Sequence, residues 1–179
     1  FASFAMSFRI SASSASGTSG AAARTGGGGS FMCLTKNDGM SGASNGSAPV
    51  RADIATWIRL APHIHGAMID LKCFDPEIHQ RITRQSNAPV LKAIRYLHSM
   101  GLLYEVRLLL IEGINDDPML LRRTGHWLAS IDPAMRLKVI GFREHGVRPC
   151  QMHLAEPNRE HLQESAAALQ VANFAISVV

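Results

Sequence analysis

Apolar positions change their spacing near residue 50 of this 179-residue chain. Beyond it, compact apolar runs alternate with stretches whose apolar residues recur every three or four positions, the signatures of strand and helix. RADIATWIRLAPHI (51–64) predicts a short helix ending near Pro62. AMIDLKCF (67–74) predicts a strand. Asn87-Ala88-Pro89 predicts a helix start, with Val90, Leu91, Ile94 and Leu97 on one stripe and Gly101 as its stop. YEVRLLLI (104–111) predicts the next strand. Asp117-Pro118 predicts a helix through about Ser130, with Asp as N-cap and Pro in the first turn. RLKVIGF (136–142) predicts a third strand. Glu156-Pro157 opens the last helix, and VANFAISVV (171–179) predicts a closing strand. Such alternation implies βαβ units and a parallel sheet. Four strands are too few to close a barrel of six or eight. The pattern therefore predicts part of something larger, because an open barrel edge leaves backbone unpaired.

The N-terminal stretch has another texture. Nine of the fifteen glycines lie in the first 50 residues, amid dense Ser and Ala. So little apolar surface cannot offset the entropy of ordering the chain, so a flexible low-complexity segment is expected over 1–43. Residues 44–179 form the α/β part. The run Gly26–Gly29 reads as a linker, with no strand expected before it and no GK[ST] after it.

Composition narrows the functional classes. A hydrophobic fraction of 46% and a charged fraction of 18% suit a globular chain. No apolar run approaches the roughly 18 residues of a membrane span. The net charge of +4 is spread along the chain, unlike the concentrated patch of a nucleic-acid binder. Cys33, Cys73 and Cys150 are far apart, which argues against a disulfide framework or a self-contained zinc site and points to a reducing cytoplasm. The N-terminus FASFAMSFRI lacks the basic start and unbroken apolar core of a secretory signal.

In parallel α/β sheets, chemistry gathers at the C-terminal ends of strands. At the first such end, alternation places Met68, Asp70 and Lys72 on one face and Ile69 and Leu71 on the other. An acid and a base inside a sheet need each other or a ligand, so a polar ligand site and an internal ion pair are both open. In the second strand Arg107 shares its face with Leu109 and Ile111, and a buried guanidinium seeks an anion. The following loop, Glu112 to Asp117, reads as a turn plus helix cap. The third strand ends in Phe142-Arg143-Glu144-His145-Gly146-Val147-Arg148, suited to a phosphate, ribose or carboxylate, or to a solvated loop. The remaining histidines, at 63, 65, 79, 98, 126, 153 and 161, show no metal-ligand spacing and read as surface or packing residues.

Three motifs, GAMIDLKCFDPEIHQRITRQSN, EVRLLLIEGINDD and KVIGFREHGVR, stand in an order that resembles the later strands of glycyl-radical-enzyme activases. That group includes the pyruvate formate-lyase activating enzyme, and the patterns are most similar to its YjjW branch. The resemblance covers roughly residues 44–150. It implies the C-terminal portion of a partial (β/α)6 TIM-type barrel. It also implies S-adenosylmethionine (SAM) and a [4Fe-4S] cluster as cofactors, and a glycyl-radical enzyme as partner. In the family, a 5′-deoxyadenosyl radical takes hydrogen from a glycine of that partner. By resemblance Asp70 and Lys72 lie at the SAM end of the barrel, and Met68 and Asp70 match positions that help hold a monovalent cation. Arg107 matches a basic residue near the SAM carboxylate. Arg143 or His145 falls where the family has a histidine near the ribose. Ser44-Asn45-Gly46 resembles a strand end, with Ala43 in place of its Asp.

The departures from the family bear on activity. The CxxxCxxC cluster loop and the GGE motif are absent from this sequence. No residue is assigned to catalysis or metal binding, and a chain inactive on its own is expected. Two other classes stay open. One is a non-catalytic partner-binding protein derived from an activase. The other is a Schiff-base aldolase-type barrel using Lys72.

Overall fold

A computed structural model describes residues 8–12, 31–33, 53–143 and 154–179. Six strands form one sheet: β1 (Phe8–Ala12), β2 (Phe31–Cys33), β3 (Ile64–Leu71), β4 (Leu103–Leu110), β5 (Arg136–Gly141) and β6 (Ala175–Val178). Their order is β2-β1-β3-β4-β5-β6. The last four are parallel, as the alternation predicts. β1 runs antiparallel along the edge of β3, with Phe8 opposite Ile69 and Ile10 opposite Ala67, and β2 pairs antiparallel with β1. Composition gave no sign of these two strands. The rest of the low-complexity segment lies outside the described residues.

Among the described residues five α-helices accompany the strands: α1 (Ile54–Leu60), α2 (Pro76–Thr83), α3 (Ala88–Ser99), α4 (Pro118–Ala129) and α5 (Arg159–Leu169). Side chains set most of their starts. Asp53 accepts from the Thr56 amide at 2.7 Å, Asp75 from Glu77 and Ile78 at 3.0 Å, and Asp117 from Leu120 at 2.9 Å. α5 begins later than Glu156-Pro157 suggests. Asn158 is the cap, accepting from the His161 amide at 2.9 Å, while Ala155 forms an isolated bridge with Glu112. α2 escaped the sequence reading. It is eight residues long, and it ends on Arg84 in the left-handed conformation rather than on a glycine (φ 61°).

One face of the sheet carries the core. Ile69 and Leu71 of β3, Val106, Leu108 and Leu110 of β4, and Leu137 and Val139 of β5 pack in one cluster. The helical residues of that cluster include Trp57, Val90, Ile94, Leu97, Leu121, Leu128, Leu162 and Leu169. The alternation of buried and less buried positions along β4 and β5 follows directly. A second, smaller cluster joins Cys73, Ile82, Ile111, Leu120 and Phe142 around the ends of β3, β4 and β5. Among the described residues no helix is long and apolar enough to cross a membrane. The result is an α/β unit whose four-stranded parallel sheet is consistent with part of an α/β barrel.

Candidate ligand-binding site

The other face of the sheet is built from charge. β3 contributes Met68 and Asp70, with Lys72 just past the strand end. β4 contributes Glu105, Arg107 and Leu109, and β5 contributes Arg136, Lys138 and Ile140. Register aligns Asp70 with Arg107, and Arg107 with Lys138. Two ion pairs run along this face, each between residues two apart in the chain. Lys72 Nζ donates to Asp70 Oδ2 at 3.1 Å, with both residues only 8% exposed. Arg107 Nε donates to Glu105 Oε1 at 3.0 Å, again largely shielded. The internal ion pair anticipated for Asp70 and Lys72 therefore exists. It does not use the whole carboxylate, because Asp70 Oδ1 is buried with no hydrogen-bond partner. A buried acceptor left bare costs about 1–3 kcal/mol, so such an atom marks a place where a donor is wanted.

The ends of β3 and β4 are tied beneath these charges. Asn115, 3% exposed, donates through Nδ2 to the Lys72 carbonyl at 2.6 Å and to the Leu109 carbonyl at 2.7 Å. Its Oδ1 accepts from the Ile111 amide at 2.7 Å. Asn87 Nδ2 donates to the Phe74 carbonyl at 2.7 Å and to that of Cys73 at 3.3 Å. The backbone after Asp70 and Lys72 is thus held by amide side chains from α3's cap and from the loop after β4. In that loop Asp116 accepts from the Gly113 amide at 2.9 Å and pairs with His161 Nε2 at 2.7 Å, beside the Asp117 cap.

Two titratable groups lie next to this backbone. Burial pushes the Cys73 thiol up to about 11. His79 is fully buried on α2, with Nδ1 3.2 Å from the Cys73 carbonyl and Nε2 without a partner. Burial holds its imidazole below the ordinary value, and the nearby Lys72 charge adds to the effect.

The structure brings Met68, Asp70, Lys72 and Arg107 onto one surface. Arg143 stands apart, exposed and paired with Glu156 at 3.1 Å. Asn45 and His145 lie outside the described residues. Glu105, Lys138 and Asn115 are additions that sequence reasoning did not single out. The i, i+2 spacing of Glu105 and Arg107 was the one available signal for the first. The other two depend on register and on a loop's fold.

The arrangement suits an amino-acid-like ligand, since a carboxylate oxygen without a donor and a guanidinium stand on one face. Among the described residues no three His, Cys, Asp or Glu side chains gather as metal ligands, and the Cys73 thiol is buried and weakly acidic. A Schiff-base lysine needs a free amine, whereas Lys72 Nζ is committed to Asp70.

No protein-family model matches the chain. Over 105 residues, 55% of the chain, it is 28% identical to a pyruvate formate-lyase-activating enzyme of Staphylococcus epidermidis. The chain spans 42% of that relative's length. Its fold superposes with a TM-score of 0.60 on a crystal structure of a domain of pyruvate-formate lyase-activating enzyme from Bacteroides vulgatus. That likeness covers 72% of this chain and 75% of the domain at 23% identity, and it shows the α/β fold. Together with the motifs, the sequence match supports an origin like that of the radical SAM activases.

Proposed function

We propose that this chain is the SAM-binding, C-terminal half of an activase-type half-barrel, of the YjjW-like branch, acting toward a glycyl-radical enzyme. The observation that carries the proposal is the charged row on the sheet face opposite the core, with the buried Asp70 Oδ1 lacking a donor. Asp70 would take the ligand's ammonium group, and Arg107 would take its carboxylate through the guanidinium nitrogens not facing Glu105. Lys72 holds Asp70 in place for that contact. Met68, buried on the same face, supplies an apolar wall. When bound with a reduced cluster, SAM supplies the 5′-deoxyadenosyl radical. The cysteines of that cluster are assigned to no residue of this chain, so the chain alone binds the substrate of the radical step without carrying it out.

The test is equilibrium binding of SAM to the purified chain, with Asp70→Asn and Arg107→Met beside it. Saturable binding weakened roughly tenfold or more in each variant is expected, the scale of a charged hydrogen bond. A folded wild-type chain that binds no SAM would sink the proposal.

A further inference from the structure

We infer that Lys138 is a further specificity-determining residue, joining Arg107 in an oxyanion site for the carboxylate of an amino-acid-like ligand whose ammonium group meets Asp70. This deepens the ligand-site reading above and rests on it.

Leu137 and Val139 enter the core, so Lys138 is left on the open face, half-buried. Register sets it beside Arg107, and Arg107 beside Asp70. Neighbouring strands lie about 4.8 Å apart, so the three residues form a row roughly 10 Å long between outer Cα atoms. Charge along this face does not balance. Asp70 is matched by Lys72, Glu105 by Arg107, and Arg136 lies over the Tyr104 ring at 4.8 Å. Among the described residues Lys138 has no ion pair. An anion placed beside Arg107 would meet the Lys138 ammonium as well.

The row's other end has the opposite need. Asp70 Oδ1 is an acceptor without a donor. One position for a cation stands on β3 and one for an anion on β5, with Arg107 of β4 between them. A simple anion fills only one of the two. A zwitterionic α-amino acid group fills both, its ammonium donating to Asp70 and its carboxylate accepting from Arg107 and Lys138. The long lysine stem allows the ammonium to lean toward Arg107. Inorganic phosphate shares the oxyanion chemistry but offers nothing to Asp70.

The experiment is an amide-resolved NMR titration of the chain, its Lys138→Met variant, which keeps the stem, and its Lys138→Arg variant, which keeps the charge. The spectra themselves report whether each variant is folded, and Lys138→Gln replaces Lys138→Met if that variant is not. The probes are SAM, decarboxylated SAM, L-methionine and inorganic phosphate. SAM and L-methionine are expected to shift the amides of Asp70, Arg107 and Lys138. Lys138→Met should weaken both about tenfold, and Lys138→Arg by less than about threefold. Decarboxylated SAM should bind wild type and Lys138→Met alike. If SAM fails to bind while L-methionine still shifts all three amides, the proposed function is wrong and the amino-acid site stands. If phosphate moves Lys138 as strongly as L-methionine while Asp70 stays still, the zwitterion assignment is overturned. The inference is equally overturned if Lys138→Met binds SAM or L-methionine as tightly as wild type, or if no probe moves Lys138.

Discussion

Asn115 donates a hydrogen bond to the Lys72 carbonyl across 2.6 Å, joining the end of β3 to the loop that follows β4. The same side chain serves the Leu109 carbonyl and the Ile111 amide, so it sets the spacing of the two strand ends that present Asp70 and Arg107. Asn115→Ala strands three backbone groups, two of them in a buried setting. At about 1–3 kcal/mol for each orphaned group, a loss on the order of 3 kcal/mol is expected. Asn115→Asp keeps the acceptor for Ile111 but places negative charge against two carbonyls, so it should destabilise comparably. Urea midpoints of the three proteins check this. Midpoints that coincide would show that water replaces Asn115 at no cost.

Much of the fold was legible because β3, β4 and β5 differ sharply from their surroundings in apolar spacing. Their observed spans fall within about three residues of those that the apolar runs suggest. Asp117 and Gly101 marked helix boundaries by chemistry, through a side-chain cap and a left-handed backbone (φ 66°). α2 was less visible because Arg84, not glycine, adopts its left-handed cap, and two buried positions make a faint stripe. Asp70, Lys72 and Arg107 were legible because alternation along a single strand is local information. Lys138 joins them only through cross-strand register, which no single segment encodes.

Cys73 is expected to resist alkylation in the folded chain. Its thiol is buried and pushed up to about 11, so at pH 7 about one molecule in ten thousand carries the thiolate. Iodoacetamide labelling, followed by mass spectrometry with and without urea, should show modification of Cys73 at least about a hundredfold slower in the native protein. Equal rates would mean that the β3 end opens freely.

His79 gives the stability an acid limb. The Cys73 carbonyl can only accept, so Nδ1 carries the proton and Nε2 is a bare buried lone pair. The folded imidazole titrates below its ordinary value of 6.5, and the unfolded one near it. Between those two values the unfolded chain binds more protons, so stability falls as pH drops from about 6.5 toward the folded value, and the limb flattens below it. His79→Leu should remove this part of the slope in urea titrations taken between pH 7 and 5. An unchanged slope would assign the acid limb to other groups.

Gly125 sits where α4 meets the end of α5. A Cβ there would lie 2.5 Å from the Leu169 carbonyl oxygen and 3.0 Å from Val171 Cγ2. Alanine gains about 1 kcal/mol of helix propensity over glycine. Overpacking against backbone costs about 1–3 kcal/mol, and a carbonyl cannot rotate away as a side-chain tip can. The clash should win, leaving Gly125→Ala less stable by thermal denaturation. A higher melting temperature would show that the two helices separate easily.

Asp70 and Lys72 make the last prediction, because their pair is both a structural element and the base of the proposed site. Removing one partner leaves the other charged and buried. Asp70→Leu and Lys72→Met should therefore each cost about 3–5 kcal/mol. The double variant leaves no charge behind, so its loss should fall short of the summed single losses by at least about 2 kcal/mol, the mark of direct coupling. Stability alone does not separate an internal pair from a ligand site, but binding does. The double variant, folded with an apolar patch in place of the pair, should lose SAM and L-methionine, since Asp70 Oδ1 is gone. Denaturation curves measure the first effect, and titration of the folded double variant measures the second. A double variant that regains stability and still binds SAM like wild type would make Asp70 and Lys72 an internal ion pair only, and would leave Arg107 and Lys138 to account for any ligand.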